Sequence, residues 1–238
     1  MVGYPSIRSS LPGTSVPWPS PNPTSSPAPN AGNSTAIVQD TRYPGICATE
    51  DLTPEHRAEL VQLYGGDGLD AKLARAAAEV EGQYYCQLNR IEETVAFARR
   101  IGAKRLGIAT CVGLIDDTKA LVDILRLAGF ETRTALCKVG SIDKTEIGIA
   151  EDLKIKPGHE ACCNPVLQAR LLNNEKTDLN ILMGLCVGHD SLFIRHAEAP
   201  VTTLVVKDRV LSHNPAAAFH TIKTYTKRML DKKRLQEL

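Results

Sequence analysis

No stretch of the chain approaches the ~18–20 consecutive apolar residues that a membrane span requires, so the sequence gives no reason to expect a membrane partner. Nor is there a surplus of one charge. Lys and Arg number 28 against 27 Asp and Glu. Nucleic-acid binding rests on positive charge that neutralises phosphate, so nucleic acid is not an expected partner. Aromatic residues make up only 5% of the chain, and the single tryptophan is Trp18. Several catalytic signatures are missing too. No Gly-x-Gly-x-x-Gly, no P-loop and no Gly-x-Ser-x-Gly occurs, and no Cys-x-x-Cys pair pins a metal site. The first residues contain no apolar core of a signal peptide. Seven cysteines, an odd number, do not suggest a disulfide scaffold. Together these point to a reducing, cytoplasmic setting in which cysteine is kept for chemistry or metal.

What is present divides near Tyr43. Residues 1–42 hold eight of the fourteen prolines and eight serines, and Arg8, Asp40 and Arg42 are their only charges. Runs such as Pro17-Trp18-Pro19 lack the backbone donors that helices and sheets need. Too little apolar surface is available to offset the entropy of ordering. The segment is expected to be a disordered tail, and residues 43–238 a single α/β domain.

Within that domain the first part, about 52–102, reads as helical. Thr53 can cap a helix with Pro54 in its first position, and Gly65-Gly66-Asp67-Gly68 ends it. Leu69 to Tyr85 is an Ala-rich helix. Asn89 can cap a third helix with apolar positions at Ile91, Val95, Ala98 and Ile101, closed by Gly102. From about 103 onward the pattern alternates. Strands are expected over Arg105–Cys111, Thr132–Cys137, Leu179–Cys186 and Val201–Lys207. Helices are expected over Asp117–Ala128, Pro165–Asn173, Asp190–His196 and 216–235. Such alternation implies βαβ units, a Rossmann-like, mostly parallel sheet and flanking helices.

The cysteines fall into register with this pattern. Cys111, Cys137 and Cys186 each close an expected strand, and each is followed within three residues by glycine. Strand carboxyl ends share one edge of a parallel sheet, the edge where open α/β sheets bind ligands. Cys163 precedes Asn164-Pro165 at a helix start on that same edge. Four thiolates on one rim make a candidate metal or cluster site. A single strand-end cysteine is more often an inert small hydrophobe, and only the repetition raises these four above that reading. Cys162, Cys47 and Cys86 are not expected to join them. Nearby, Lys138 is placed to lower a neighbouring thiol pKa, His189 is a potential ligand, and Asp190 is expected to cap the next helix. Lys207 and Arg209, leaving the fourth strand, could hold an anion or offset cluster charge.

Several segments carry a resemblance. They are Ile108-Ala-Thr-Cys111-Val-Gly-Leu114, Cys137-Lys138-Val-Gly140, Cys163-Asn164-Pro165-Val-Leu-Gln168-Ala169 and Gly184-Leu-Cys186-Val-Gly-His189-Asp190. Ala199 to Arg209 and His213-Asn214-Pro215 complete the set. Across residues from about Tyr43 to Pro215 the chain resembles the family catalogued as domain of unknown function 1847, whose members often carry the loose label of metal-binding protein. The resemblance implies a further cysteine-rich stretch at the start of the domain, near Cys47. Here a proline-rich tail stands in that place, which puts a complete N-terminal site in doubt.

Two functional expectations follow. In one, Cys111, Cys137, Cys163 and Cys186 hold a [4Fe–4S] cluster, with zinc as the alternative metal, and the protein serves a redox partner or handles metal. In the other, a metal-free thiolate enzyme acts on a small anionic substrate, with Cys186 as nucleophile, His189 as base, and Lys207 or Arg209 as anion clamp.

Overall fold

A computed structural model describes residues 52–238. The expected tail, Trp18 and Cys47 lie outside the described residues. The chain divides into two compact units at Arg75 and Ala76. In the first, helix α1 (Pro54–Gly65) begins as expected: the Thr53 side chain accepts from the His56 amide, and Pro54 opens the helix. Helix α2 (Leu69–Tyr84) starts in this unit.

The second unit contains α3 (Arg90–Arg100). It is fixed at its start by reciprocal bonds in which Asn89 accepts the Glu92 amide and Glu92 accepts the Asn89 amide. Then comes the sheet, from β1 (Arg105–Thr110), β2 (Glu131–Leu136), β3 (Leu179–Leu185) and β4 (Val201–Val206). All pairings are parallel, in the order β2-β1-β3-β4. Helix α4 (Ile115–Leu127) links β1 to β2, α5 (Pro165–Asn174) precedes β3, and α6 (His189–His196) links β3 to β4. The chain runs outward from β1 to β2, then crosses back to the other side of β1. The strand order therefore reverses between β1 and β3, which places the binding crevice of such a sheet at their carboxyl ends.

Alternation along β1 separates the two faces. Ala109 joins Ala135, Ala169, Leu172, Leu182 and Phe193 in a core under α5 and α6. Its neighbour Thr110 points the other way, and its hydroxyl bonds to that of Thr118 on α4 at 2.7 Å. The central strand β3 is buried at every residue, as a strand covered on both faces must be. Beneath α5 the fully buried Gln168 donates from Nε2 to the carbonyls of Thr110 (3.1 Å) and Ala135 (2.7 Å). One side chain thus satisfies the ends of two strands beside the site.

Two expectations fail. The continuous helix over 216–235 is replaced by short pieces: α7 (Ala217–His220), a single 3₁₀ turn (Lys227–Leu230) and α8 (Lys232–Gln236). The physical reason is a shortage of apolar contact. Phe219, Tyr225, Leu230 and Leu235 are all exposed, and a short helix without a buried face is marginal. Thr221 and Thr226 also bond to each other and to preceding carbonyls, which competes with helix. The second failure is the Asp190 cap. Gly188, at φ +83°, stands at that position, and Asp190 lies inside the first turn of α6. Among the described residues no helix is long and apolar enough to cross a membrane.

Candidate metal and thiolate site

Each of the three strand cysteines lies one residue past its strand, and backbone bonds still hold the first two to the sheet. The Cys111 amide donates to the Met183 carbonyl at 3.1 Å and the Cys137 amide to Thr110 at 2.9 Å. The turn after β1 is tight. Cys111 accepts from the Leu114 amide at 2.9 Å, opening the 3₁₀ turn Val112–Leu114. That turn aims the Val112 amide at the Cys137 sulfur, 3.2 Å away. After β3, the Cys186 carbonyl accepts from the amides of His189 (2.9 Å) and Asp190 (3.2 Å).

Cys163 arrives from a long excursion between β2 and α5. The loop is pinned internally by Asp143. Its carboxylate takes the amide of Thr145 at 2.9 Å and that of Glu160 at 2.7 Å, and it pairs with the buried Lys154 ammonium at 2.7 Å. Lys154 and these donors hold the Asp143 carboxyl far below the usual carboxylate range. The loop is then stitched to the sheet. Asn164 donates its amide to the Cys137 carbonyl at 2.7 Å and accepts the Leu167 amide at the start of α5. Residues 163 and 164 are therefore held at the end of β2.

Three of the sulfurs act on one another directly: Cys137 on Cys163, and Cys111 on Cys137. The Cys137 thiol bonds to Cys163, and this bond, helped by burial, pushes the Cys137 pKa well above the ordinary thiol range. Cys111 and Cys163 add further repulsion to any charge on Cys137. The same bond pushes the Cys163 pKa down to about 5 against the cost of burial, and the Lys138 ammonium and His189 lower it further. Two adjoining thiols cannot both ionise cheaply; one keeps its proton and donates it to the other. On the far side Arg209 donates from Nη2 to the Cys186 sulfur at 3.0 Å. Its own pKa is raised by that bond, then by attraction to Cys186, Cys111 and Cys163. Arg209 thus stands within electrostatic reach of three of the sulfurs, and Cys163 links them to the fourth.

A glycine makes this approach possible. Gly184 lies within β3 at φ +73°, and a Cβ there would come to 2.0 Å from Leu114 and 4.0 Å from the Cys111 Cβ. Only glycine accepts that conformation without strain, and its bareness lets the Cys111 turn pack onto the strand. The pairing of β3 with β4 slips on either side of Met183, an irregularity of the kind that re-aims side chains next to sites.

A family model for a protein of unknown function, DUF1847, matches residues 47–204. The chain belongs to the DUF1847 family. It is 46% identical over 192 residues to "Uncharacterized protein MJ0455" of Methanocaldococcus jannaschii, covering 80% of this chain and 94% of that protein. No solved structure matches.

In this DUF1847 protein Cys111, Cys137 and Cys163 act on one another, and Cys186 is linked to them through Arg209. Cys162 is buried beside Cys163, with its amide on the Ile142 carbonyl, and Cys86 is exposed. Lys207 reaches back over the first turn, its Nζ 3.3 Å from where a Gly113 Cβ would stand. Cys186 is paired with Arg209, whereas His189 acts on Cys163; a ring nitrogen of His189, Nδ1, is buried without a hydrogen-bond partner. Lys138 follows Cys137 in sequence, yet its charge favours the Cys163 thiolate, and its Nζ donates to the Ala161 carbonyl at 2.5 Å. The Cys137–Cys163 contact, the Val112 amide and the Gln168 staple left no signature in the sequence. Among the described residues no three Cys, His, Asp or Glu side chains converge closely enough to hold one metal ion.

Proposed function

We propose that Cys111, Cys137, Cys163 and Cys186 hold an iron–sulfur cluster, of the [4Fe–4S] type, and that the protein works in a reducing cytoplasm as an electron-transfer or metal-handling protein. The observation that supports this is that cysteines from four separate chain segments follow strand ends or a helix start at one sheet edge, with Cys111, Cys137 and Cys163 acting on one another and Cys186 linked through Arg209. The donor set suits the group: cysteine thiolates are the ligands of such clusters, and hydrogen bonds to their sulfurs tune the potential. A single zinc ion, the alternative metal, is less well supported, because the side chains do not converge on one point and a cluster spans a wider ligand set. Cys186 already accepts from Arg209, and the Lys138, Lys207 and Arg209 charges would balance the negative charge of cluster and thiolates. When bound, a cluster supplies one-electron transfer, or Lewis acidity at an iron left open.

The test is iron and acid-labile sulfide content, with the visible spectrum, on anaerobically purified protein. About four iron atoms per chain are expected, with a broad absorbance lost in Cys186→Ala. Absence of both iron and zinc, with alanine at all four positions changing nothing, overturns the proposal.

A second reading, a metal-free thiolate enzyme acting on a small anion, is favoured by the bond from the Cys137 thiol to Cys163, with the Lys138 charge beside it, which together favour the Cys163 thiolate. It would take Cys163 rather than Cys186 as nucleophile, with Lys207 and Arg209 as the anion clamp. Alkylation separates the two readings. A lone catalytic thiolate reacts first and by itself, whereas four cluster ligands are protected together until metal is stripped.

A further inference from the structure

We infer that the C-terminal segment, residues 217–238, is an attachment site for an anionic lipid bilayer surface, held by its lysines and arginines and seated by Phe219, Tyr225 and Leu230. The inference does not depend on what the thiols hold. Within the segment stand Lys223, Lys227, Arg228, Lys232, Lys233 and Arg234, against only Asp231 and Glu237. With both acids charged, six bases against two acids leave +4, in a chain that carries +1 as a whole. Asp231 Oδ1 accepts the Arg234 amide at 3.2 Å, and Glu237 faces Lys233 at 4.0 Å. Among the described residues, none of the other five bases has a carboxylate partner. Nor are they engaged at the thiols, where Lys138, His189 and Arg209 supply the positive charge.

Charge alone does not choose a bilayer; the apolar residues do. Phe219 is 70% exposed, Tyr225 87% and Leu230 64%, and Leu235 and Leu238 are exposed as well. Isolated exposed apolar residues need no explanation, but five of them interleaved with six bases form a patch. Ala218, Ile222, Tyr225 and Met229 keep a helical spacing. In a continuous helix Phe219 and Leu230 would border that stripe, and Lys232 and Lys233 would straddle it. Their stems can lie along apolar surface while the ammonium groups stay at the headgroups.

The free protein breaks this helix into α7, a 3₁₀ turn and α8, because no apolar surface covers it. A bilayer interface supplies that surface, and a helix lying in the interface needs no spanning length. A nucleic acid would take the bases to its phosphates and leave the leucines in water. A protein groove needs its anchors on one helix face, whereas Leu235 and Leu238 fall off the stripe. A fluid surface accommodates them.

The experiment is flotation of the full chain with vesicles of phosphatidylcholine and phosphatidylglycerol, at about three parts to one, and with vesicles of phosphatidylcholine alone. Circular dichroism is read on the same mixtures. Binding to the anionic vesicles is expected, with helix gained over residues 216–235, and it should fade as salt rises. Each Lys or Arg near such a surface strengthens binding about fivefold. Lys232→Gln, Lys233→Gln and Arg234→Gln together should therefore weaken it about a hundredfold, and Leu230→Ser about tenfold. The melting temperature should not change in either variant, since these side chains are exposed. No binding to the anionic vesicles, equal binding to both kinds, or unchanged binding by the triple variant overturns the inference. So does a single-stranded RNA that displaces the vesicles and binds Leu230→Ser as tightly as wild type, because the segment would then be a phosphate-backbone site.

Discussion

The sharpest prediction concerns Cys163 in metal-free protein. Its pKa is pushed down to about 5 by the bond from the Cys137 thiol, with Lys138 and His189 contributing. An unperturbed thiol ionises near 8.5. At pH 7 the two differ about thirtyfold in thiolate population, but a less basic thiolate is also a weaker nucleophile. With a Brønsted slope of ~0.45, a pKa gap of ~3.5 costs roughly 40-fold in intrinsic rate. Near neutrality the effects cancel, so a rapid rate at pH 7 is not the signature. At about pH 5.5 the balance tips. Some 75% of Cys163 is thiolate against ~0.1% of a reference thiol, and after the nucleophilicity penalty Cys163 is expected to react about 20-fold faster. The assay is iodoacetamide labelling of Cys163 with peptide mass mapping, against glutathione in the same tube. Between about pH 6 and 8 its rate should be nearly flat, falling only as pH drops through about 5, where the thiolate takes up its proton. Cys137→Ala removes the largest cause of the shift, and the fall-off should move to higher pH. A wild-type rate that climbs tenfold per pH unit from 5.5 to 7 would refute the reasoning, because Cys163 would then be an ordinary thiol.

Three further outcomes test the scaffold. Gly184→Ala is expected to lose about 2–4 kcal/mol in urea unfolding, from the left-handed backbone and the clash with Leu114, at the φ and contact already described. Gln168→Met removes one donor from the Ala135 carbonyl and one from the Thr110 carbonyl, which keeps the Cys137 amide, and should cost about 1–3 kcal/mol; an unchanged midpoint would show that the staple does not matter. Asp178 accepts the amides of Lys104 (2.7 Å) and Arg105 (2.8 Å), and although desolvation opposes it, these bonds hold its pKa below the ordinary value. Its contribution is complete above the unfolded pKa near 4 and is lost as pH falls through the lower folded pKa. Being exposed, it is worth only about 1 kcal/mol, and Asp178→Asn should flatten stability against pH below about 4 by that amount.

The placement of the cysteines along one sheet edge was legible because a parallel sheet converts sequence position into spatial position. Every strand must finish on the same edge, so residues 111, 137 and 186, each placed just after a strand, are bound to be neighbours. Cys163 followed by the same logic, since a helix leading back to the sheet starts on that edge. What the alternation could not reveal is the order of the strands within the edge. That order is set by the crossover from β2 over β1 to β3, and it decides which thiol touches which. The pairing of Cys137 with Cys163, and of Cys186 with Arg209 rather than His189, depends on it. Lys138 shows the same limit at the scale of one residue. Cys137 and Lys138 open the turn that leaves β2, and within it the lysine beside Cys137 in sequence favours the thiolate of a different cysteine. The failed helix over 216–235 marks the other boundary of such reading. Its propensity was adequate, but Phe219 and Tyr225 found no face to bury against, and tertiary contact outranks local preference. Periodicity therefore locates the rim and names its thiols, while the division of protons and charge among them is a property of packing alone. It is this division, a low-pKa Cys163 beside a protonated Cys137, that the proposed cluster would have to rearrange, because all four ligands would then be thiolates. Metal loading should accordingly release protons, fewer from Cys163 than from Cys137, and it should slow as pH falls.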